Sequence, residues 1–150
     1  MTPFDCPPAA GAQGRLRQAQ GAALRQAQGA VVIEGYAAVF DRVDRAGDVM
    51  RAGAFGAVAP APLLWAHRGA PVGVVEAIGE DRFGLRVRAR VEDARAAALV
   101  RSGAVRGLSV GYVPRRVRQA GRRELLSVEL REVSLVAVPM QALARVDRVF

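Results

Sequence analysis

The 150-residue chain has no lysine and no asparagine, one histidine (His67), one cysteine (Cys6), one threonine (Thr2) and four serines. Each scarcity excludes something. A lone cysteine cannot form an internal disulfide and suits a reducing compartment. One histidine and one cysteine cannot build a Cys/His zinc site, so no structural metal is expected. No apolar run approaches the roughly 18 residues of a membrane helix. The start, MTPFDCPPAAGAQG, lacks the charged and apolar regions of a signal peptide. Eight aromatic residues are too few for an evident base-stacking platform. Hydroxyl or imidazole chemistry has very few residues on which to occur.

The length suits one domain that buries about two-thirds of the surface its unfolded chain exposes. The formal net charge of +8 invites a nucleic-acid reading, but all 22 basic residues are arginine. Alanine, arginine, glycine and valine dominate, as GC-rich coding produces without selection for basicity. The arginines are dispersed, as in RVRARV and RRVRQAGRR, and no basic face is interleaved with aromatics. Direct nucleic-acid binding is disfavoured.

Residues 1–30 read as a separate, low-complexity or flexible segment. Pro3, Pro7 and Pro8 oppose regular structure, and LRQAQGAA (Leu16–Ala23) is followed at once by LRQAQGAV (Leu24–Val31). Two copies are too few for a solenoid. The folded unit is expected over 31–150, opening on a strand, VVIEGYAAVF. A polar loop follows, then PLLWAH ending at His67, a turn over Arg68–Pro71, and the strand PVGVVEAI. FGLRVRARV alternates, with Leu85, Val87, Ala89 and Val91 on one face and arginines on the other, which predicts a half-buried strand. EDARAAALVRSG, Glu92–Gly103, is the best helix, with an acidic start and Arg then Gly at its end. VRGLSVGYVP is a strand, and Glu124–Pro139 is one long strand or two in succession. Many short strands with one good helix predict a mainly antiparallel β core, a barrel or sandwich.

Ser109 stands in GLSVG with Gly107 and Gly111 on its own side of the strand. The glycines leave room for another backbone, as a nucleophile attacking a peptide carbonyl would need; tight packing is an equally plain reason for them. His67 closes an apolar run at a strand end, where a single histidine is commonly incidental. Glu132 shares parity with Leu126, Val128 and Leu130, on what reads as the core-facing side. A carboxylate there is costly unless partnered, by an arginine or by the only imidazole. The other serines signal less: Ser102 ends the helix, Ser127 is on the polar parity, and Ser134 lies in a packed apolar run.

Four blocks, GYAAVFDRVDRAGDVMRAGAF, LLWAHRGAPVGVV, VRGLSVGY and LREVSLVAVPM, span about Ile33 to Val146. In this order the chain resembles the prohead maturation proteases of HK97-type tailed phages, relatives of the herpesvirus assemblins. The resemblance implies a closed antiparallel β-barrel with a few helices, the assemblin fold. It also implies a serine endopeptidase without cofactor or metal, with Ser109 as nucleophile, His67 as general base and Glu132 as third member. Assemblins use a second histidine in that third place; this chain has none to offer. The assemblin oxyanion arginines are also missing from VAVPMQALAR, which leaves backbone N–H groups near Ser109, or Arg115 and Arg116, as donors. The implied partner is the major capsid protein with its scaffold segment, cut inside an assembling procapsid in the bacterial cytoplasm, with self-cleavage and self-association there. GC-rich coding suits a prophage or gene transfer agent. Two other classes fit the same residues: a catalytically silent capsid-assembly module, and a basic nucleic-acid-binding module.

Overall fold

A computed structural model describes residues 29–150. The tandem repeat lies almost wholly outside the described residues. Eight strands and one helix follow in order: β1 Val31–Val39, β2 Asp48–Met50, β3 Pro62–Trp65, β4 Arg68–Glu80, β5 Gly84–Val91, α1 Ala94–Arg101, β6 Gly107–Ala120, β7 Arg122–Val136 and β8 Val146–Val149. No helix among the described residues is long and apolar enough to cross a membrane.

The alternation in β5 sets the centre of the sheet. Leu85, Val87, Ala89 and Val91 are at most 1% exposed. The strand pairs antiparallel with β1 on one side and β4 on the other. Burying such aliphatic side chains stabilises the fold by roughly 1.5–3 kcal/mol each for the larger ones. On its outer face Arg86 and Arg88 reach Glu34 at 3.2 and 2.7 Å, and Arg90 reaches Glu76 at 3.2 Å. These arginines form a neutralised ladder rather than a free basic face. Helix α1 is capped by Asp93, whose carboxylate accepts from the Ala96 N–H at 2.9 Å. It ends two residues earlier than its sequence signals suggest, with Gly103 at φ +78° taking the chain out.

The expected closed antiparallel barrel is not what forms. Strand β7 pairs antiparallel with β6 along one edge, and its other edge takes two short parallel partners, β2 at Arg123–Leu125 and β3 at Val133–Leu135. The other end of the sheet runs through β4, β5 and β1 to β8. Among the described residues no ladder joins β8 to β6. They meet at one isolated bridge, Gly107 to Arg145, flanked by two backbone hydrogen bonds. The reason is local. All four residues of β8 lie along β1, and residues 137–144 form no strand that could pair with β6. The sheet is mixed and open.

The far half of β6 is an exposed, arginine-rich arm that turns at Gly121 (φ +75°) back into β7. Across the ladder from Arg118, Glu124 is buried and bonded to Arg51 (Nε, 2.8 Å) and to Arg118 itself. The hydrogen bonds from Arg118 and then Arg51 hold its carboxyl at about 2, against an ordinary 4.5. A carboxyl depressed in the folded state stabilises fully above its unfolded value, and the contribution is lost as pH falls through the folded one. Stability is therefore expected to decline between pH 4.5 and about 2, and Glu124→Gln to flatten that decline. Urea midpoints measured across this window check it; parallel curves for the two proteins would contradict it.

Candidate active site

Strand β7 is the spine on which the sequence-expected residues converge. In its C-terminal half Val133 and Leu135 face the core at 0% exposure, while Glu132 and Ser134 point to the other face. The core parity expected for Glu132 is thus reversed. Register shifts in the β6–β7 ladder, between Gly111 and Tyr112 and again around Arg116, change which parity faces inward along the strand. Across the ladder Ser109 lies opposite Ser134, and Gly111 opposite Glu132. Ser109 is 7% exposed, on the face that carries Glu132.

His67 arrives from the other edge of β7. Trp65 and Arg68 are paired, so Ala66 and His67 alone form the loop between β3 and β4. The turn expected over Arg68–Pro71 is instead the start of β4. Ala66 has φ +49° and His67 φ +63°, the double left-handed pattern of a type I′ hairpin turn. Such turns favour Asn-Gly, and an ordinary L residue in this region costs about 1–2 kcal/mol. Two bonds to β7 hold the turn: Ala66 N–H donates to the Leu135 carbonyl at 2.9 Å, and His67 N–H to Ser134 Oγ at 3.0 Å. The one imidazole in the chain thus sits on a strained left-handed turn.

His67 Nδ1 is hydrogen-bonded to Glu132 Oε1, and Ser134 Oγ donates to Glu132 Oε2 at 2.6 Å. No arginine pairs with Glu132 among the described residues, so the plain ion-pair reading fails. Ser134, at 0% exposure, is the residue that sequence reasoning passed over. The available signal was its two-residue spacing from Glu132, which puts both on one face of a strand.

Of the two reasons open for the glycines, the structure supports tight packing. A Cβ on Gly111 would overlap Glu132 Oε1 and lie 2.8 Å from Glu132 Cδ. One on Gly107 would lie 2.5 Å from the Val136 carbonyl oxygen and 2.9 Å from Pro139 Cδ. The space beside Ser109 is filled by the protein's own carboxylate and chain, not kept open for a peptide.

Ser109 and His67 both line a cleft of about 250 Å³, walled by Ala37, Ala38, Met50, Leu108 and Tyr112. No hydrogen bond joins the two side chains. Gln141 holds the loop over the cleft, exchanging two 2.7 Å hydrogen bonds with the Val39 backbone as a strand partner would. At the far wall Arg123 grips the buried Asp48 with two bonds, 2.9 and 2.6 Å, and so keeps that carboxyl below its usual range. Burial pushes the Tyr112 hydroxyl above its ordinary value. Arg115 and Arg116 do not line this cleft. They stand on the exposed arm, Arg115 paired with Glu129.

The mixed sheet resembles a solved herpesvirus protease in fold. The KSHV protease, solved with a hexapeptide phosphonate inhibitor, aligns over 81% of this chain with a TM-score of 0.52 and 12% identity. The varicella-zoster virus protease aligns over 67% of this chain and 57% of its own length, with a TM-score of 0.41 and 17% identity. This chain spans 65% of the length of the KSHV protease. No curated protein sequence matches. Residues 18–149 match the model of the caudovirus prohead serine proteases, and the chain belongs to that family. The match begins inside the first copy of the repeat.

Proposed function

We propose that the chain is a serine endopeptidase in which Ser109 is the nucleophile, His67 the general base and Glu132 the group that orients it. The observation that carries this reading is the bond from His67 Nδ1 to Glu132, made at the mouth of a cleft that also holds Ser109. With Nδ1 committed to a carboxylate, Nε2 is the nitrogen left to take a proton. Ser109 Oγ attacks the substrate carbonyl as its proton passes to His67 Nε2, and Glu132 stabilises the resulting imidazolium. The tetrahedral adduct expels the amine, which takes that proton, and leaves an acyl-Ser109 ester. Water, deprotonated by the same nitrogen, then releases the acid and restores the hydroxyl. The unbonded Ser109–His67 spacing is common before substrate binds.

The proposed substrate is the scaffold portion of the major capsid protein, or a separate scaffold, cut within the procapsid in a bacterial host, with self-cleavage as a second event. Family membership supports a capsid substrate; which bond is cut is this proposal's finer step. Co-expression with the major capsid protein encoded in the same genome tests it, wild type against Ser109→Ala, read by intact mass spectrometry. Loss of an N-terminal capsid segment with wild type alone is the expected result, and the mass gives the cut. Full-length capsid protein in both, with heads assembled, would favour a silent assembly module. A peptidyl phosphonate that bonds Ser109 in wild type gives a second readout.

A further inference from the structure

We propose that Ser134 is a positioning residue that locks the tautomer of His67, an inference that rests on the triad reading above. Its hydroxyl has one proton and two lone pairs. A lone pair accepts the His67 backbone N–H at 3.0 Å, and the proton is donated to Glu132 Oε2 at 2.6 Å. The two bonds act on different parts of one device. The first fixes the left-handed turn that carries the imidazole. The second fixes the carboxylate that the imidazole meets.

Glu132 is then held at both oxygens, Oε1 by His67 Nδ1 and Oε2 by Ser134, and its carboxylate plane cannot turn. A full carboxylate has only acceptors, so Nδ1 must be the protonated nitrogen and Nε2 the basic one. Ser134 is completely buried, with Leu64 beside it on β3 and Ser109 opposite on β6. Water cannot replace the hydroxyl freely. One side chain therefore ties the base, its orienting acid and the strand facing the nucleophile into a single unit.

The chain's only histidine makes the test direct. The ¹⁵N shifts of its imidazole, read at mildly alkaline pH, report the tautomer without any requirement for activity. Wild type is expected to show the Nδ1-protonated form, and Ser134→Ala a mixture with the Nε2-protonated form. In the same variant kcat is expected to fall by about 10–100-fold with KM within about twofold, as for other groups that orient a catalytic side chain. Ser134→Thr, which returns the hydroxyl, should restore the tautomer even where its extra methyl lowers stability. If Ser134→Ala does not fold, Ser134→Cys carries the comparison, with a weaker donor of similar shape. An unchanged tautomer in Ser134→Ala overturns the proposal, whether kcat is kept or lost. A locked tautomer that Ser134→Ala unlocks, in a wild type that cuts nothing, upholds the positioning role and counts against the triad reading instead.

Discussion

Gly111→Ala is expected to abolish most proteolysis while leaving the protein folded. The new Cβ would occupy the space of the Glu132 carboxylate. What must move is the far end of a flexible side chain, not backbone, so the protein can accommodate the methyl by swinging Glu132 away. That motion breaks the bond to His67 Nδ1 and costs about 10²-fold or more in kcat/KM, since small misplacements of catalytic groups carry such penalties. The fold should lose about 1–3 kcal/mol, because the buried Ser134 hydroxyl is left without its acceptor. Gly107→Ala makes the control, because its Cβ meets the Val136 carbonyl, which cannot swing aside. That variant should lose about 1–3 kcal/mol through overpacking. Thermal unfolding and capsid-protein cleavage, measured side by side, separate the two. A fully active Gly111→Ala would mean that Glu132 does not orient His67.

Glu132→Gln is expected to lower kcat by about 10³–10⁴-fold with little change in KM, the range seen when the acid of a triad becomes an amide. The geometry says which way the amide turns. Ser134 donates to Oε2, so the amide oxygen belongs there and the NH₂ is left facing Nδ1. An NH₂ group can only donate, so it selects an imidazole whose Nδ1 bears the lone pair and whose Nε2 bears the hydrogen. The nitrogen that should take the Ser109 proton is then already protonated. The lost negative charge removes stabilisation of the imidazolium as well. Single-turnover cleavage of a capsid-protein substrate checks this; a loss of tenfold or less would contradict it.

Much of the frame could be read from residue order, because periodicity is a local property. The alternation of Leu85, Val87, Ala89 and Val91 specified a half-buried strand, and the acidic start from Glu92 marked the helix to within two residues. The resemblance brought Ser109, His67 and Glu132 together, and the structure places the latter two in contact and the first in the same cleft. What sequence could not supply was the partner across the sheet. Gly111 is small because of a carboxylate 21 residues further along the chain. Ser134 looked like filler in an apolar run until β3 was laid beside it. Closure of the sheet depended on whether residues 137–145 would become strand, and nothing in VAVPMQALAR decides between strand and turns. Glu132 was assigned to the wrong face because parity counting assumes an unbroken strand, and this ladder has bulges.

The way β7 holds the site has a consequence for when the protein can act. His67, Ser109 and Glu132 come from three separate stretches of the chain, and they meet only after β3 and β6 have both docked on β7 in register. A slip of one residue in either pairing would turn Glu132 and Ser134 toward the core and Val133 outward. The strand that supplies the acid also lies late in the sequence, so a growing chain on the ribosome carries a serine and an imidazole with nothing to aim them. Pairings so distant in sequence form slowly. On the proposed triad, hydrolytic competence would be a late product of folding, and a truncated or misregistered copy would lack the aimed imidazole.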